Sequence, residues 1–95
     1  MTTSQDQIID AAMAQSIQAD AERTHPLLAW IVMRDEEAYP GEFLARLVTD
    51  GVTPYVLLAD TLGGLHAQLP PGLDRSDRQP SDPPEVVEIW FLPSG

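Results

Sequence analysis

With 95 residues and 43% apolar content, the chain is long enough for one hydrophobic core and too short for two, so a single two-layer domain over 1–95 is expected. Fifteen acidic residues against five basic ones give a formal charge of -10, which repels nucleic-acid phosphates and anionic membranes and argues against either as a direct partner. There is no Cys, which excludes disulfides, thiolate nucleophiles and Cys-ligated metals.

The opening residues, "MTTSQDQIID", show no basic region followed by a long apolar run, and no segment approaches the roughly 18 apolar residues of a spanning helix. A cytoplasmic location is the resulting expectation. Ser4 and Gln7 have the spacing of a capping box, and a helix over about 5–23 is predicted behind them. Ile9, Met13 and Ile17 recur every four residues and, with Ile8 and several Ala, define a narrow apolar stripe for packing on a sheet.

Pro26 disfavours further helix, and the continuous apolar run after it predicts a strand over 27–34. Pro40 and Gly41 close a loop that leads to a second strand over 42–49, in which Phe43, Ala45 and Leu47 share one face and Leu44, Arg46 and Val48 the other. The turn "DGVTP" and a third strand over 55–59 complete an antiparallel meander. Asp60 or Thr61 caps a short helix with Leu62, Leu65 and Leu69 on one stripe, which Pro70 and Pro71 stop. Residues 70–84 read as a Pro-rich charged connection, and "EVVEIWF", 85–91, as the last strand.

The predicted order is α-β-β-β-α-β, an α+β fold in two layers: a three-strand antiparallel meander and a fourth strand after a helical crossover. A crossover of that kind usually runs parallel to the strand it leaves, so the last strand is expected parallel to the third. It would pair either beside the first strand, giving order 3-2-1-4, or beside the third. If both helices lie on one face of the sheet, the other face is left to solvent or to a partner.

Alternation assigns the faces. On the last strand Val87, Ile89 and Phe91 form the purer apolar face, so the helices are expected over it, while Glu88 and Trp90 point outward. Arg46 marks the wetter side of the second strand, and Arg34 shares a side with Leu28, Trp30 and Val32. The outward face would therefore present Trp30, Arg46, Glu88 and Trp90 as partner-binding residues, Trp and Arg being enriched at interfaces. An intramolecular set of cross-strand aromatic and ion pairs is the plainer account of the same residues.

Catalytic and metal signatures are missing. His25 and His66 are the only imidazoles, and neither belongs to an H-x-x-x-H or H-E-x-x-H pattern. Gly63-Gly64 lacks the remainder of a phosphate loop, in a chain without Lys, and the acids at 35–37 and 74–82 lack the spacing of a calcium loop. No catalytic residue, cofactor or metal is expected.

From about 27 to 91 the succession β-β-β-α-β, with the turn at "TDGVTP" and the helix start Asp60-Thr61-Leu62, resembles the N-terminal domain of HicB-type antitoxins. The resemblance rests on those three residues, with Asp50 and Gly51 fitting the preceding turn loosely. The chain departs from that pattern in its N-terminal helix and in lacking a DNA-binding segment after Phe91. The resemblance implies a non-catalytic acidic domain that covers a basic nuclease. The expectation is a small acidic protein-interaction module, antitoxin- or inhibitor-like, that binds a basic protein or a second copy of itself, as a homodimer, through its open sheet face. The alternative is a small-molecule-binding protein or modest enzyme with a pocket near His66 and the 74–82 loop.

Overall fold

Extended backbone precedes the first helix. The computed structural model describes residues 6–25, 27–77 and 79–92. Gln7–Ile8 forms a short strand, β1, and the Ile9 N–H donates to the Val56 carbonyl at 2.9 Å. Helix α1 then runs over Ala11–Glu22, later than expected, because the cap is Asp10, whose Oδ1 accepts from the Met13 N–H at 2.9 Å. The cap expected at Ser4 lies outside the described residues. The buried stripe of α1 is Ala14 and Gln18, with Ile17 and Ala21 packed against the core, whereas Met13 is exposed. A stripe of small residues suits a helix lying close to a sheet.

The meander forms as expected from β2 (Ala29–Arg34), β3 (Phe43–Val48) and β4 (Val52–Ala59). Gly41, at φ 77°, closes the loop between the first two, in a conformation that side-chain-bearing residues adopt at a cost. Helix α2 (Leu62–Gln68) starts at Thr61, whose hydroxyl accepts from the Gly64 N–H. Within the connection expected over 70–84, Asp74–Asp77 forms a further strand, β5. It pairs antiparallel with β6, Val86–Phe91, which lies where the last strand was predicted.

The result is an α+β fold with one six-stranded sheet in the order β1-β4-β3-β2-β6-β5. Strand β6 pairs with β2, the 3-2-1-4 arrangement of the four expected strands, but it runs antiparallel to its neighbour and hence antiparallel to β4. The expected parallel relation fails because β5 intervenes. The crossover through α2 ends on β5, which is parallel to β4, and β6 returns from it as a hairpin. Strand β1 is likewise parallel to β4, and so to β2, which makes β1-α1-β2 a second crossover. Both crossovers move the same way across the sheet, so helices of the same hand fall on the same face.

That covered face carries Trp30, Val32, Ala45, Leu47 and Leu57, all at most 1% exposed, with Ala14 of α1 and Leu65 of α2 in the same core. The expected facing is therefore reversed along β2 and over residues 88–91 of β6, while Val87 packs against the core as expected. Trp30 pairs with Trp90 and Val32 with Glu88 on the helix side, while Ile31 and Ile89 pair on the open side. Ile89 is half-buried and Phe91 is 37% exposed, so neither belongs to the covered core. Arg34 shares a face with Trp30, as alternation requires. It lies at the strand's end, its guanidinium over the Phe43 ring at 4.6 Å, and so reaches solvent although its strand faces the helices.

The two glycines in the first turn of α2 are not equivalent. A Cβ at Gly63 would meet nothing within 4 Å, whereas one at Gly64 would sit 2.9 Å from the capping Thr61 hydroxyl. Gly63→Ala is expected to stabilise the protein by up to about 1 kcal/mol. Gly64→Ala should lose that gain by displacing the cap. Urea denaturation of the two single variants checks the difference, and an equal shift in both midpoints would contradict it.

Candidate partner-binding face

The four residues expected to share an outward face are divided by the sheet. Trp30, Glu88 and Trp90 lie beneath the helices, and Arg46 alone lies on the open side, in register with Ile31 and Val56. What reverses the expectation is that the polar atoms of the first three are satisfied internally. The Trp30 indole N–H donates to Gln18 Oε1 at 2.9 Å, and Gln18 Nε2 donates in turn to Glu22 at 3.1 Å. A buried indole with its N–H paired adds a large apolar contact at little polar cost.

Glu88 is 3% exposed, and three side chains converge on it. The Trp90 indole N–H donates to Oε1 at 2.8 Å, His66 Nε2 meets the same oxygen, and Arg75 Nη1 lies 3.4 Å from Oε2. The His66 and Trp90 rings are tilted against each other with centroids 5.0 Å apart. Burial pushes the Glu88 pKa up, but the hydrogen bonds from Trp90 and His66 and the charges of His66 and Arg75 outweigh it and hold the carboxyl below its ordinary value. Here His66 is a structural partner of a buried carboxylate, and Arg75 comes from the strand that sequence patterning missed.

Arg46 makes a separate cluster. Its Nη1 and Nη2 donate to the two Asp6 oxygens at 2.8 and 2.9 Å, and Nη1 also donates to the Thr53 carbonyl at 3.1 Å. The Tyr39 hydroxyl donates to Asp6 Oδ2 at 2.7 Å. Asp6 hydrogen bonding raises the Arg46 pKa further, against the effect of burial, and burial followed by the Asp6 contact raises that of Tyr39. A bidentate pair of this kind anchors the segment before β1 to the middle of the sheet.

Beside this cluster the open face is a trough. One cleft, of about 300 Å³, is walled by Ile31, Met33, Val48, Val52, Val86 and Ile89, with Arg46 at one side and Asp82 and Pro83 at the other. Val86 reaches this side through the register shift opposite Val32 and Met33. A second cleft, of about 280 Å³, shares Val48 and continues past Ala29 to Leu27 and Phe91. Leu27 and Val52 are 74% and 76% exposed, so apolar side chains project along the rim as well as lining the floor. No match to the chain exists among protein-family models, curated proteins or solved structures.

Leu27 was absent from the expected site because it alternates with Ile31 and Met33, on the side of the first strand taken as inward, and Val52 because it fell in the expected turn before the third strand. Ile31, Met33 and Ile89 were assigned to the core by the same alternation that set Trp30 outside. No helix among the described residues is long and apolar enough to cross a membrane, so the exposed apolar groups do not belong to a spanning helix.

The Glu88 cluster has a pH signature. A carboxylate with a depressed folded-state pKa contributes stability that is fully present above its unfolded value, about 4.3, and lost as the pH falls through the folded value. Glu88→Gln should cost roughly 1 to 3 kcal/mol at pH 7. The gap between wild type and variant should narrow as both are acidified below the ordinary carboxylate range. Chemical denaturation of the pair at pH 7 and pH 3 tests this, and an unchanged gap would show that Glu88 acts by packing alone.

Proposed function

We propose that the protein is a small, non-catalytic interaction module, acting in the cytoplasm, that binds a basic protein partner through the open face of its sheet. The observation that carries this reading is the apolar trough between Arg46 and Pro83 with exposed Leu27, Val52 and Phe91 along it. A contiguous exposed apolar surface on a small domain usually belongs to an interface.

Charge selects the partner. Asp82 stands in the wall of the trough, and Asp74 pairs in register with Phe91. Among the described residues the cleft has one cation, Arg46, which Asp6 neutralises. Two copies of a chain with charge -10 repel each other, whereas a basic partner is steered toward this surface. Association edge to edge is disfavoured as well, since β1 has two residues and β5 reads Asp-Arg-Ser-Asp. The resemblance of residues 27–91 to HicB-type N-terminal domains supports the form of this reading in which the partner is a basic nuclease and the protein its inhibitor.

Leu27→Glu combined with Val52→Glu should weaken partner binding about ten-fold or more while leaving the melting temperature nearly unchanged, because both side chains already face solvent. Met13→Glu, on the exposed side of α1, is the control and should bind normally. Affinity capture with the three proteins, followed by calorimetry on the captured partner at two salt concentrations, measures the difference. A partner retained equally by all three, or a wild type whose only partner is itself by sedimentation, would overturn the proposal.

A further inference from the structure

On the helix side of the sheet a cleft of about 430 Å³ opens between the second half of α1 and the ends of β3 and β4. That volume lies in the range of small-molecule sites. Its floor is apolar, from Ile17 and Leu47. Its walls carry the hydroxyls of Ser16, Thr24, Thr49 and Tyr55, none of which makes a side-chain hydrogen bond among the described residues. His25 also lines it. His25 Nδ1 lies 3.0 Å from Asp50 Oδ2 but at an angle that makes no hydrogen bond, and this buried nitrogen has no hydrogen-bond partner among the described residues. Ser16 and Thr24 are exposed to solvent, so the groups a bound ligand would satisfy are the half-buried hydroxyls of Thr49 and Tyr55 and His25 Nδ1.

The electrostatics specify the ligand's sign. Asp20 stands in the wall, and Asp50 faces His25 at the mouth. The C-terminal end of a helix is its negative pole, and α1 has no basic residue in its last turn to offset it. Arg23, which follows as the C-cap, is exposed and does not line the cleft. In a chain of charge -10, an anion would find little to hold it there.

We propose that this cleft binds a small organic amine, its ammonium held by the Asp20 carboxylate near the C-terminal end of α1 and its carbon skeleton against Ile17 and Leu47. The hydroxyls of Thr49 and Tyr55 accept from the remaining ammonium protons. Thr49 lines both this cleft and the second cleft of the trough, so the two sites adjoin there.

The test is a titration of the whole protein with n-butylammonium, followed by backbone amide NMR, with n-butanol and inorganic phosphate as probes of equal simplicity. A saturable shift of amides in α1 and at the β3–β4 ends, weakened roughly five-fold or more by Asp20→Asn and unaffected by Glu37→Gln in a distant exposed loop, would support the proposal. Thermal melts of both variants should match wild type, since Asp20 and Glu37 are exposed. Shifts that grow without saturating and spread over all acidic residues would overturn it, as would equal binding of butanol or preferential binding of phosphate.

Discussion

With both helices on one side, this sheet buries only one of its faces against them, and the choice depends on whether Trp30 and Glu88 find partners in the buried layer. Gln18 on α1 meets the first, and His66 on α2 meets the second. Each helix thus brings a polar side chain to a buried polar atom of the sheet, and α2 adds Gln68, whose Nε2 donates to the Leu58 carbonyl. An apolar pair at either position would bind the layers without fixing their relative rotation. Paired polar groups in a low-dielectric layer are costly when misaligned, and that cost selects one docking geometry.

The same constraint explains what patterning could and could not reveal. The meander, α2 with its Thr61 cap, and the final strand are all legible, because β-branched runs bounded by Pro and Gly and a capped Leu stripe are local signals. The division into two faces was legible too: Phe43, Ala45 and Leu47 do lie opposite Leu44, Arg46 and Val48. Which face of β2 and β6 is inside was not, because Arg34 and Glu88 read as outward markers, although Arg46 marked the open side of β3 correctly. The partners that satisfy the buried polar atoms lie 22 residues away for Glu88 and 12 for Trp30, beyond the reach of any window on a strand. Strand β5 was illegible for a related reason, since Asp-Arg-Ser-Asp has no apolar alternation and forms by pairing with β6.

Reversing the faces changes the chemical character of the open side. With the indoles inside, the trough is aliphatic and thioether, from Ile31, Met33, Val48 and Ile89, with Phe91 at one end. Such a surface adapts to its partner's shape more readily than one of rigid aromatic rings, since Met has three rotatable bonds and a polarisable sulfur. The acids around it then supply what the aliphatic floor lacks, a preference for charge and a faster encounter.

The order of the sheet also bears on how the chain is made. Strand β6 is among the last described segments in sequence, yet it lies between β2 and β5 in the interior of the sheet. While the chain leaves the ribosome, β2 therefore keeps one bare ladder of amides and carbonyls until Phe91 has emerged, even with the meander already paired. An exposed strand edge during synthesis is where wrong pairings start. Glu88, in the middle of the arriving strand, closes that interval selectively: its carboxylate is at home only where His66 and Arg75 await it, and a strand inserted in the wrong register would bury it alone.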